Sequence, residues 1–173
     1  MKRLCFYILG AFFFAYPAFS AEPDLITEAE SLGEVAGEGL ACQASKYDTY
    51  ELLARAYITT KAPNNDLLVQ ALSAYANSKI TAFLSSAERS FADCPQNRTR
   101  FDNQAIFKTV IYGNGTLKTP DGKILKPAQP YDASKLYQKD PTEREQILKA
   151  YQSYQNRLLN SPAYQKVLKE QGI

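Results

Sequence analysis

From position 25 onward apolar residues recur every three or four places, the spacing of one helical face, and the recurrence breaks after Cys42 and again at Ala62 and Pro63. In the first segment, "LITEAESLGEVAGEGLAC", Glu30, Glu34 and Glu38 fall on one solvent line. Leu32, Val35, Ala36, Leu40 and Ala41 occupy most of the remaining circumference, which predicts a helix contacted on several sides. Gly33, Gly37 and Ala41 form a row of small residues one turn apart. That row predicts a packing surface on which an aromatic ring or a helix backbone can approach closely. A phosphate loop would need these glycines after a strand and before a Lys and a Ser or Thr, and that context is missing.

Asp48, with Glu51 three residues later, reads as a capping box opening a second helix that ends before Ala62. A third helix is predicted over 66–93, with Leu68, Leu72, Ala76, Ile80, Phe83, Ala87 and Phe91 on its buried face. Continuing that count reaches Cys94. The segment 101–112 suggests a fourth helix stopped by Gly113 and Gly115. Two alternating runs around Pro120, Asp121 and Gly122 predict a β-hairpin near 116–125. "KPAQPYDASKLY" lacks a helical period and reads as an extended stretch. Asp140, Pro141 and Glu143 then open a last helix carrying Ile147, Tyr151, Tyr154 and Leu158 on one core-facing side, with a further helix or kink at Pro162 and a stop at Gly172.

The N-terminus changes the setting. "MKRLCFYILGAFFFAYPAFS" has a basic start, an apolar run of about a dozen residues and a small-residue end. Residues 1–20 are therefore expected to be a signal peptide removed between Ser20 and Ala21. Removal takes Cys5 with it and leaves Cys42 and Cys94, an even count that predicts a disulfide and an oxidising, periplasmic or secreted location. The expected fold class is mainly α: residues 21–173 as a single disulfide-clamped helical bundle with one short hairpin.

The formal charge of +2 vanishes once Lys2 and Arg3 leave, but its distribution does not: residues 21–94 carry −6 and residues 95–173 carry +6. Such a split suits docking of the two halves or a basic face for an anionic partner. Outside the cytoplasm nucleic acid is not an expected partner, and membrane contact is expected only during export.

Histidine is absent, which removes the usual base of nucleophilic triads and the commonest transition-metal ligand. Glu30 and Ser31, followed by "AYAN" at 74–77, resemble two pieces of the lytic-transglycosylase pattern, but the Gly-Leu-Met-Gln-type segment between them is missing. A calcium site at Glu30, Glu34 and Glu38 would need more oxygens than one helix face offers, so a solvated acidic stripe is the reading. No catalytic residue, metal site or cofactor is expected.

Tyrosines interleaved with lysines in the C-terminal half read as a contact surface, for which Tyr131, Lys135 and Tyr137 in the aperiodic stretch are the candidates. The expected function is non-enzymatic binding of another envelope or secreted protein, as an inhibitor or immunity protein, a chaperone or an accessory subunit of an envelope complex. The alternative is a peptidoglycan-directed enzyme or glycan-binding module.

Overall fold

The computed structural model describes residues 24–171; the expected leader, its cleavage point and Gly172 lie outside them. Six helices carry the fold: α1 (Leu25–Ala41), α2 (Tyr47–Lys61), α3 (Asn65–Glu88), α4 (Cys94–Asp102), α5 (Glu143–Leu159) and α6 (Pro162–Gln171). Between α4 and α5 run the two-residue strands β1 (Val110–Ile111), β2 (Leu117–Lys118) and β3 (Ile124–Leu125).

The core is built on α1 lying along α3, with α2 and α4 against its other sides. Asp24 caps α1 by accepting a hydrogen bond from the Thr27 amide at 2.8 Å, and Asn64 caps α3 in the same way through Leu67 at 2.9 Å. A Cβ placed on Gly33 would lie 2.2 Å from the carbonyl oxygen of Tyr75, and one on Gly37 would lie 2.2 Å from that of Lys79. Backbone therefore meets backbone, which only glycine permits at these two positions. Ala41 is buried, and the position of a Gly39 Cβ is taken by the ring of Phe101. Phe101 packs with Tyr50 and Phe107 at centroid distances of 4.9 and 5.7 Å, and Tyr50 donates to the Leu32 carbonyl on α1.

Cys42 follows the last turn of α1 and bonds to Cys94, with Cα atoms 5.0 Å apart and a sequence separation of 52. Closing a loop of that length restricts the unfolded chain by about 4 kcal/mol in the entropy model. The bridge differs from expectation in one respect. Helix α3 ends at Glu88, Ser90 and Phe91 reverse the chain with φ of 53° and 56°, and Cys94 is the first residue of α4.

Segment 101–112 is not a helix. Helix α4 stops at Asp102, a 3-10 turn spans Ala105–Lys108, and Val110 and Ile111 pair antiparallel with Lys118 and Leu117. Val110 and Ile111 are β-branched, and pairing with β2 gives their backbone groups partners that an isolated helical turn here would lack. The expected hairpin is present as β2 and β3, with Gly122 at φ +86° closing the turn, and β1 makes it a three-stranded sheet. Leu117 points into the body and is fully buried.

Candidate functional site

The centre of the molecule holds a charge network that sequence spacing did not predict. Glu51 is no capping residue: α2 begins at Tyr47, and the Glu51 side chain is fully buried. Its Oε1 accepts hydrogen bonds from Tyr75 at 2.8 Å, Tyr47 at 2.9 Å and Lys79 Nζ at 3.0 Å, and its Oε2 accepts from Arg55 Nε at 2.9 Å. Lys79 also bonds to Glu143, the first residue of α5, and the Tyr47 hydroxyl lies 2.9 Å from the second Glu143 oxygen. Two carboxylates thus meet two cations, and one phenolic proton serves both acids.

Lys79 replaces Ile80 on the buried face of α3, which runs Ala71, Tyr75, Lys79 and Phe83, while Ile80 is exposed. The swap follows from the glycine row, because α3 must turn the backbone at Tyr75 and Lys79 toward α1. The stem of the lysine packs as an apolar rod and its ammonium meets Glu51.

Burial pushes the Glu51 carboxyl up, but Lys79 and Arg55 outweigh it and hold the group below the usual carboxylate range. Burial, and then the charge of Glu51, drives the Tyr47 and Tyr75 phenols well above theirs. Fully buried, Glu51 has no approach for a substrate. What the network does is fix the base of α5.

The strap between the sheet and α5 runs antiparallel to α2 and is fastened to both of its ends. The Tyr131 hydroxyl donates to the Ala56 carbonyl at 3.0 Å and lies 2.7 Å from Thr60 Oγ1, and its ring fills the space beside Gly115. Tyr137 donates to Asp48 at 2.9 Å, and Lys139 bonds to the other oxygen of the same carboxylate at 2.6 Å. Of the three residues expected to form a contact surface, Lys135 is exposed, within reach of Asp132, while Tyr131 and Tyr137 are half-buried. The two tyrosines are anchors. An aperiodic stretch carries no signal for the direction its rings take, so sequence reasoning placed them outward.

Past the first turns of α5 the C-terminal helices leave the core. Ile147 and Leu148 pack on the core, and Tyr151 reaches Glu88 at 2.9 Å. The same α5 face then continues as Tyr154, 57% exposed, and Leu158, 44% exposed, with Leu159 exposed beside them. Tyr154 thus lies outside the core that its helical spacing predicts. Neither α5 nor α6 contains a buried residue, and Val167 of α6 adds another exposed apolar group. Lys149, Arg157, Lys166 and Lys169 border this arm.

Glu30 and Ser31 of α1 do share one groove with Ala74 and Asn77 of α3, an open trough of about 820 Å³. Tyr75, between those two α3 residues, points the other way into the charge network. Among the described residues no cluster of His, Cys, Asp and Glu is placed to hold a metal ion, and no helix is long and apolar enough to cross a membrane. The disulfide suits an oxidising extracytoplasmic space. No protein-family model, curated protein or solved structure matches the chain.

Proposed function

We propose that this is an exported, non-enzymatic protein of the periplasm that binds another envelope or secreted protein through the α5–α6 arm, as an inhibitor, chaperone or accessory subunit. The observation that carries the reading is that the apolar face docking the first turns of α5 onto the core continues past it, through Tyr154 and Leu158, uncovered. Exposed aromatic and aliphatic groups on a helix whose base is fixed are what helix-in-groove recognition uses. The bordering lysines and arginine favour a partner with an apolar groove and an acidic rim.

A second reading, glycan binding in the trough between α1 and α3, is favoured by the convergence there of Glu30, Ser73 and Asn77. One experiment separates them. Protein purified from envelope extract is compared with the Tyr154→Ser/Leu158→Ser variant and with Glu30→Gln, scoring both co-purifying proteins and retention on peptidoglycan. The arm variant is expected to lose a stoichiometric protein partner while keeping its thermal stability. Unchanged partners would sink the arm, and peptidoglycan retention lost only on Glu30→Gln would establish the glycan reading.

A further inference from the structure

The sheet presents a second surface, separate from the arm. Its register aligns Val110 with Lys118 and Lys118 with Ile124, so these three form one row across the strands. The Tyr112 amide donates to the Thr116 carbonyl at 2.9 Å, extending the β1–β2 ladder by one residue, and the same register carried along β3 brings Lys126 alongside Thr116. Because side chains alternate across a sheet, both rows lie on the face opposite the buried Leu117.

That face is exposed: Val110 and Ile124 are each 49% accessible, Tyr112 is 46% accessible, and Lys118 and Lys126 are open to solvent. Segment 104–128 holds four lysines and one acid, Asp121, whose carboxylate is occupied by Thr119 and the Lys123 amide within the hairpin turn. The neighbouring acid Glu28 is paired with Lys61.

We infer that this face docks on an anionic phospholipid surface, with Val110, Tyr112 and Ile124 entering the headgroup layer and Lys118 and Lys126 meeting lipid phosphates. Its size and charge choose the occupant. Three strands at about 4.8 Å spacing and two rows deep present at most a few hundred Å². A stable protein interface buries about 800 Å² per partner, so this patch is too small for one. A bilayer asks for no shape complementarity. It takes short apolar tips, an amphipathic tyrosine, and lysines whose stems lie along the apolar layer while the ammonium reaches phosphate. Docked this way, the protein would be concentrated at the envelope membrane.

The test is sedimentation with lipid vesicles, using protein purified from the envelope fraction of cells producing the full-length chain. Vesicles of phosphatidylglycerol mixed with phosphatidylcholine should retain the protein, and pure phosphatidylcholine vesicles should not. Lys118→Ala and Lys126→Ala should each weaken partitioning about fivefold. Val110→Ser/Ile124→Ser should abolish it, with circular dichroism unchanged. Added salt should release the protein. Equal binding to neutral vesicles, or unaltered binding by the lysine and the apolar variants, would overturn the inference, as would capture of an acidic protein by this face with no vesicle binding. The Leu158→Ser variant should still bind vesicles, so failure here is separable from failure of the arm.

Discussion

Lys79 Nζ lies 3.0 Å from Glu51 Oε1, joining two helices through an ion pair in which the carboxylate is fully buried. A pair so enclosed gives little net stability over an apolar replacement, but breaking it strands a charge. Glu51→Gln removes the acid shared by Lys79 and Arg55, but Lys79 keeps Glu143 and Arg55 is partly exposed, so the cost should be about 1–3 kcal/mol. The combined replacement Glu51→Leu with Lys79→Met should cost less than either single change. Urea denaturation of Glu51→Gln, of Glu51→Leu and Lys79→Met singly, and of the double variant checks this, and additive costs in the last three would show that the two groups do not act as a pair.

Gly33→Ala tests the backbone contact between α1 and α3. The new methyl would have to occupy a position 2.2 Å from the Tyr75 carbonyl oxygen, and neither helix can yield there without moving Lys79 away from Glu51. Overpacking costs about 1–3 kcal/mol and more where backbone must shift, which outweighs the gain of about 1 kcal/mol in helix propensity. A lower melting temperature is expected. A stabilised variant would mean that the helices are farther apart than described.

The phenols predict how stability depends on alkali. Burial, with Glu51 beside it, raises the pKa of Tyr47, Tyr50 and Tyr75. The folded chain therefore keeps protons that an unfolded chain releases near pH 10, so this stabilisation is complete below about pH 10 and is lost above it. Each phenol contributes up to about 1.4 kcal/mol per pH unit in that range.

Acid acts in the opposite sense. Glu51 and Asp48 are held low, Asp48 by the hydrogen bond from Lys139, so their contributions are present above the ordinary carboxylate range and fade as pH falls below it. Urea midpoints across the pH range, with absorbance of tyrosinate followed in parallel, measure both limbs. A midpoint unchanged from about pH 9 to about pH 12 would falsify the burial of these hydroxyls.

Sequence alone determined the order of the first three helices, the close-packing row at Gly33 and Gly37, the turn at Gly122 and the pairing of Cys42 with Cys94. Each of these depends on a period or on residue chemistry that acts over a few positions or, for the cysteines, on elimination. A trace of the charge network was legible too, since Lys79 stands four residues from both Tyr75 and Phe83 on an otherwise apolar stripe.

Only the tertiary structure decided which faces have neighbours. Glu51 and Asp48 on α2 look alike as local acids, yet one is enclosed by Lys79 and Tyr75 while the other receives the strap. Tyr151 and Tyr154 share a helical face, yet the body ends between them. Spacing fixes which side chains lie together, but burial depends on what the rest of the chain brings against them, and that is set by contacts between residues far apart in sequence.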